Sequence, residues 1–180
     1  MDRIKIAVDR LWGSVDQDGV LHSSPRFADE LAAHYNGNLG ILNLKVSKWS
    51  YGHQLEHLYR TSHYVLDRLE EAMTGLNADQ RMGFWGVGMM IGGFIPRYWF
   101  PTIPQLVPHS GGPEDIEPLQ SDLKSRVEKF PWTFPEIKQS RGKSRHPRMK
   151  FLTASQWMFF WDLHHRHHLS IMRDIAKSTG

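Results

Sequence analysis

The segment from Thr153 to Lys177 restricts the fold most, because its apolar residues recur at the period of an α-helix. With about 100° per residue, one face of that helix collects Trp157, Trp161, Met172 and Ile175. His164 and His168 lie in the middle of this apolar face, whereas His165 and His167 lie roughly 80° to either side, at its margins. The segment therefore predicts a long helix, capped by Thr153, whose core-facing side carries two imidazoles.

A second helix is predicted from Tyr51 to Ala72, after the N-cap residue Ser50. Its core-facing stripe, at a helical spacing, consists of Leu55, Leu58, Ser62, Val65, Leu66 and Leu69. A third helix is expected from Pro113 to just before Pro131, since proline and acidic residues suit a first turn. Two weaker helical segments are a helix of uncertain length near residues 25–45 and a short one at about 84–94.

The sequence predicts an all-α fold with four long helices. No segment alternates apolar and polar residues convincingly, and residues 131–150 are expected to form a loop. A single domain is expected over residues 1–180, with an N-terminal extension at 1–25 and a helical bundle at 26–178. A long crossover separates the second and third helices, and such a connection lets them run parallel.

The composition excludes several classes of site and partner. The chain contains no cysteine, so disulfides, thiolate metal sites and a cysteine nucleophile are ruled out, and a reducing cytoplasm is expected. The net charge of +3, from 22 basic and 19 acidic residues, makes nucleic acid an unfavoured partner, although residues 138–150 are rich in Lys and Arg. Residues 1–12 lack the apolar run of a secretory signal. The longest apolar stretch, 84–95, is too short to span a membrane.

Two histidines four residues apart on one helical face can bind the same metal ion. The alternative for His164 and His168 is that they hydrogen-bond core carbonyls or each other. The second helix offers His53, His57 and His63 as a third ligand, and the helical wheel does not choose among them. His57 is flanked by a polar strip, Gln54, Thr61 and Tyr64, that could line a cavity. The same pattern is equally compatible with His57 as a surface histidine.

Three segments resemble the DinB/YfiT-like superfamily of four-helix bundle proteins. Residues 48–58, KWSYGHQLEHL, resemble the tryptophan-serine entry to helix two, which ends in a histidine followed by leucine. Residues 95–108 resemble the proline-rich crossover. Residues 146–171 resemble the last-helix signature, with a His-Pro pair and then histidines four apart. The likeness covers about residues 27–175 in order.

The resemblance implies an up-down-down-up bundle with a divalent metal bound by His57, His164 and His168, and so selects His57 in the second helix. Nickel, zinc and iron(II) all accept imidazole, so the ligand set does not identify the ion. Characterised relatives are transferases or isomerases that use low-molecular-weight thiols, and others are assigned as metal-dependent hydrolases. The resemblance thus implies a small-molecule substrate.

We consider three hypotheses for the function. The first is metal-dependent transfer of a thiol, supplied by a cosubstrate, to an electrophile. The second is a metal-dependent hydrolase, with Glu56 or Asp162 as a possible base. The third is a non-catalytic bundle that binds a partner or nucleic acid through the basic run at 138–150. A homodimer is also expected through a glycine-rich segment and its aromatic neighbours, which are Phe84, Trp85, Trp99 and Phe100.

Overall fold

The computed structural model describes residues 3–12, 33, 38–97 and 101–177, and within them the chain is mostly helical. Six α-helices and a two-stranded antiparallel sheet are present in these ranges. The helices are α1 (Arg3–Trp12), α2 (Tyr51–Met73), α3 (Phe84–Gly92), α4 (Pro113–Glu128), α5 (Phe134–Gln139) and α6 (Ala154–Lys177). The strands are β1 (Lys143–His146) and β2 (Lys150–Thr153), and a 3₁₀ turn covers Pro104–Leu106. The predicted helical class is confirmed.

Both long helices begin where their caps predict. The backbone N–H of His53 donates to Ser50 Oγ at 3.3 Å, which satisfies one of the unpaired donors at the start of α2. At the start of α6, the backbone N–H of Thr153 donates to Gln156 Oε1 at 2.9 Å. The backbone N–H of Gln156 donates in return to Thr153 Oγ1 at 3.3 Å. These caps fix where the two helices that carry the histidines begin.

The core is organised around α6. Helices α1 and α2 both pack against α6, and α4 packs against the other side of α2. Fully buried side chains at these contacts include Leu11, Leu55, Leu58, Leu66, Trp157 and Trp161. Burial of each such side chain contributes about 1.5–3 kcal/mol, so the packing of α2 on α6 is a principal source of stability. No helix in the described ranges is both long and apolar enough to cross a bilayer.

The helix expected near residues 25–45 is not formed over 38–45, where the chain makes turns. Asn38 and Asn43 accept hydrogen bonds from backbone N–H groups two residues later, and such turns compete with a helix. The carbonyls of Leu39 and Ile41 instead accept from Gly52 and Tyr51, the first turn of α2. Apart from residue 33, which is helical, the earlier part of that prediction lies outside the described residues.

Residues 3–12 form α1, whereas the sequence predicted only an extension there. The apolar residues of this segment recur at a helical spacing, and Ala7, Val8 and Leu11 are all buried. Helix α1 packs against α6. The N-terminal extension therefore contributes to the core, at least over the ten residues of α1.

Residues 131–150 are not the loop that the sequence predicted, because they contain α5, β1 and the start of β2. The two strands have four residues each and pair from Lys143 with Thr153 to His146 with Lys150. Ser144 and His146 are buried and Arg145 is exposed. In strands of four residues, the alternation of buried and exposed positions is too short to stand out in the sequence.

Candidate metal centre

Three histidines meet between α2 and α6, one from the first half of α2 and two from the middle of α6. The ring centroids of His57 and His164 lie 5.1 Å apart, those of His57 and His168 4.6 Å, and those of His164 and His168 4.5 Å. One nitrogen of each ring lies within 4.8 Å of the other two. This histidine cluster, His57, His164 and His168, forms a group that could hold a metal ion, and its members are those the resemblance implied.

Hydrogen bonds orient two of the three rings. His57 Nδ1–H donates to the carbonyl oxygen of Leu106 at 2.7 Å, and His168 Nδ1–H donates to Gln54 Oε1 at 2.6 Å. Gln54 is itself held, because its Nε2 donates to Ser47 Oγ at 2.9 Å. With Nδ1 protonated, each neutral ring presents the Nε2 lone pair, which is the arrangement that metal-binding histidines use.

The separation of two ring nitrogens in the cluster is compatible with a shared metal ion. His57 Nε2 and His164 Nε2 are 3.3 Å apart. Two imidazole nitrogens bound to one tetrahedral Zn²⁺ at about 2.0–2.1 Å would be roughly 3.3–3.4 Å apart. His164 Nδ1 is buried and has no hydrogen-bond partner among the described residues, so this ring, unlike those of His57 and His168, is not oriented through Nδ1. The donor set therefore suits a cation with an affinity for imidazole.

Burial keeps the ligands in the neutral form that a metal requires. It lowers the pKa of His57 to about 4, against the opposing effect of the Leu106 carbonyl. The pKa values of His164 and His168 lie well below 6.5, first because of burial and then because of the neighbouring histidines. At neutral pH, a metal ion therefore displaces no proton from these rings.

The cluster has a closed side and an open side. On the closed side, the Trp49 ring lies 5.0 Å from His57 and stacks at 6.5 Å on His168. On the open side, all three rings line a cavity of about 160 Å³. The described lining is mainly apolar and has no carboxylate; besides the cluster it comprises Thr61, Tyr64, Met89, Ile95, Pro96, Pro101, Thr102, Ile103, Leu106, His146, Pro147, Arg148, Phe160 and His167.

The other histidines of α2 are engaged elsewhere. His53 Nδ1 is 2.6 Å from Ser50 Oγ at the helix start, and His63 Nε2–H donates to the Leu119 carbonyl at 2.9 Å. His57 is thus the member of the three that faces α6 at the cluster. On α6, His165 does not join the cluster, and its Nε2 accepts from the Trp161 indole at 3.1 Å.

The two carboxylates considered as bases lie away from the cavity lining. Glu56 accepts hydrogen bonds from Arg60 Nε at 2.7 Å and from the backbone N–H groups of His109 and Gly111 at 2.9 Å each. It therefore anchors the loop that follows the Leu106 carbonyl. Asp162 accepts from Arg10 and Arg166, on the face of α6 covered by α1. Neither is placed to take a proton from a molecule in the cavity.

Sequence reasoning missed two parts of the site. The Leu106 carbonyl is a backbone group brought in by the 3₁₀ turn, so no residue type marks it. His146 lines the cavity, although the sequence indicated it only as part of a His-Pro pair. Gln54, one residue of the polar strip that could line a cavity, instead accepts a hydrogen bond from His168. Thr61 and Tyr64 of the same polar strip do line it.

The basic run at 138–150 is dispersed over several elements. Lys143 Nζ donates to the carbonyl oxygen of Ala78 at 2.6 Å and also to that of Gln80. Arg148 lines the cavity. In the expected dimer segment, Phe84 and Trp85 are exposed, whereas Trp99 and Phe100 lie outside the described residues.

Comparison with known proteins adds no relative to this description. No protein-family model matches the chain, and no match was found among curated proteins or among solved structures. The likeness to the DinB/YfiT-like superfamily is therefore a resemblance carried by the order of three sequence segments.

Proposed function

We propose that this protein is a divalent-metal-dependent enzyme that transfers a low-molecular-weight thiol to an electrophile, with His57, His164 and His168 as the metal ligands. The observation that carries the proposal is the convergence of three imidazole nitrogens within 4.8 Å of one another beside a cavity. The proposal includes the DinB/YfiT-like up-down-down-up bundle, a cytoplasmic location and a homodimer.

The residues of the chain hold, orient and shield the ligands. The Leu106 carbonyl and the Gln54 amide fix the tautomers of His57 and His168. Trp49 and the apolar lining limit access of water. When bound, a divalent ion supplies a positive charge that lowers the pKa of a thiol or a water at its open position.

The lining favours a thiol over water as the nucleophile. Hydrolysis of an ester or amide benefits from a general base within hydrogen-bond reach, and neither of the two carboxylates considered for that role, Glu56 and Asp162, is among the described lining residues. A thiol has a pKa near 8.5 and ionises near a cation without such a base. In the proposed step, sulfur bonds to the electrophilic carbon, the thiol proton passes to solvent, and the leaving group departs with the electron pair of the broken bond. The chain has no cysteine, so the thiol is a cosubstrate.

Elemental analysis of untagged protein tests the metal site. We expect close to one divalent ion per chain in the wild type and loss of that ion in the His164→Ala, His168→Ala double variant. His63→Gln is the matched control, because His63 is also on α2 and glutamine can still donate to the Leu119 carbonyl. Unchanged metal content in the double variant would show that the ion binds elsewhere.

A substrate panel run with and without added thiol tests the reaction class. We expect product only when a low-molecular-weight thiol and the metal are both present. Hydrolysis of esters or amides that proceeds at the same rate without thiol would instead support the hydrolase.

A further inference from the structure

The backbone around His146, at the end of β1, determines which ring nitrogen carries the proton and can donate a hydrogen bond. Its Nδ1 accepts from the N–H groups of Arg148 and Met149, both at 3.1 Å, in the turn of the hairpin. Since Nδ1 is an acceptor, the proton of the neutral ring is on Nε2. The ring therefore accepts on the side of the turn and donates on the opposite side.

His146 lines the same cavity as the histidine cluster. The His146 ring lines the cavity, 4.7 Å from the Phe160 ring, which in turn is 5.5 Å from the His164 ring. No hydrogen bond to His146 Nε2 is formed within the described part of the chain. His146 Nε2 is therefore the polar group of the lining that is free to donate to a ligand atom.

The charge of the lining favours an anion. Among the described lining residues there is no aspartate or glutamate, and Arg148 is the single lysine or arginine. Its exposed guanidinium forms no ion pair with any described residue. A positive charge without a carboxylate partner at the mouth of an apolar cavity attracts negatively charged ligands.

The cavity also limits the size of the ligand. Its volume of about 160 Å³ is close to that of an engineered cavity, roughly 150 Å³, known to bind benzene. A carboxylate is planar and accepts from a guanidinium fork and a neighbouring N–H at the same time. The geometry points to a substrate that joins one carboxylate, held by His146 and Arg148, to an apolar body about the size of a six-membered ring. This inference rests on the proposed function, because the reacting atom is then directed past Phe160 toward the histidine cluster.

Calorimetric titration of the full chain with benzoate and with benzamide, its neutral isostere, tests this inference. We expect benzoate to bind about tenfold more tightly than benzamide, both in zinc-loaded protein and in protein treated with chelator. His146→Asn keeps an acceptor near the position of Nδ1 for the turn and removes the donor at Nε2. Arg148→Met removes the charge at an exposed position, so this variant should fold whether or not the first one does.

Each variant should weaken benzoate binding by up to about 10-fold, which is the low end of the usual effect of losing a hydrogen bond to a charged group. Benzamide binding should change far less. Arg145→Met, on the exposed side of the same hairpin, is the control and should leave both affinities unchanged. Equal binding of benzoate and benzamide, tighter binding of phenyl phosphate than of benzoate, or unchanged benzoate binding in both variants would overturn the inference.

The carboxylate could belong to the electrophile or to the thiol. Competition with benzoate by thioglycolate, which carries a carboxylate, and by 2-mercaptoethanol, which does not, distinguishes these two sources. If thioglycolate alone competes, the carboxylate belongs to the thiol, and if neither competes, it belongs to the electrophile. Both results agree with the inference. Failure of the proposed function gives a different result. A chain that takes up no metal but still prefers benzoate refutes the metal enzyme, whereas a chain that binds metal without this preference refutes the carboxylate site.

Discussion

Acid should unfold the metal-free protein over a narrow range near pH 5. Six described histidines have a pKa that is lowered first of all by burial, and the shifts are large for five of them: His57 to about 4, His146 and His165 to about 3, and His164 and His168 well below 6.5. The sixth is His167, which is half-buried. In the unfolded chain these side chains titrate near 6.5. Below that pH the unfolded state binds more protons than the folded state, so stability is complete above pH 6.5 and decreases as the pH falls.

The magnitude follows from the proton linkage of each ring. Protonation in the unfolded state stabilises that state by about 1.4 kcal/mol per histidine at pH 5.5 and about 2 kcal/mol at pH 5. Five rings together give about 7 and about 10 kcal/mol, against a total stability of roughly 5–15 kcal/mol for a typical domain. Asp162 offsets part of this loss, because burial raises its pKa and its proton binds more readily in the folded state.

Far-UV circular dichroism and tryptophan fluorescence between pH 8 and pH 3, with a chelator present, measure this transition. We expect a midpoint near pH 5 and a net uptake of four to five protons on unfolding, roughly one for each linked ring. Saturating zinc should move the midpoint to lower pH, because a ligand that binds only the folded state stabilises it. A native spectrum that persists at pH 4, or an uptake of fewer than two protons, would refute the reasoning.

Three further changes test the site and its surroundings. Gln54→Leu removes the acceptor of the His168 Nδ1–H group, and we expect metal affinity, measured by competition with a chromophoric chelator, to fall about 10-fold to 100-fold while the helical spectrum is kept. Gly52→Ala places a Cβ against the backbone of the neighbouring loop, so the free energy of unfolding in urea should fall by about 1–3 kcal/mol or more. Phe84 and Ile91 are 84% and 69% exposed on α3, and their joint replacement by glutamate should convert the expected dimer to a monomer in light scattering. A wild-type protein that is already monomeric at all concentrations would contradict the dimer.

The long helices could be predicted because each combines a cap with many turns of regular burial. Helix α6 has 24 residues and α2 has 23, so the helical period repeats often enough to dominate local exceptions. The hairpin has four residues in each strand, and a single alternation of this length does not stand out from a loop. The turns over residues 38–45 depend on asparagine side chains that compete with the helix, although the apolar residues there have helical spacing.

His164 and His168 are easier to predict as ligands than His57, and the reason is where each residue lies on its helix. His164 and His168 lie at the centre of the apolar face of α6, where burial follows from the sequence pattern alone. His57 lies about 120° from the centre of the α2 stripe, at a position that is buried only if another element covers it. Its 3% exposure shows that one does, since the 3₁₀ turn brings the Leu106 carbonyl onto its ring. That contact joins residues 49 positions apart, and a helical wheel contains no information about it.

The arrangement that makes the cluster suitable for a metal also weakens the fold in acid. A metal ion needs neutral imidazoles, and burial provides them by making the protonated form unfavourable. The same burial gives the unfolded chain its advantage in binding protons. Within the folded state, therefore, protons compete poorly with a metal for His57, His164 and His168 down to the pH at which the protein unfolds. The acid limit of metal binding is then set by the stability of the whole fold, including His146 and His165, rather than by the ordinary pKa of histidine.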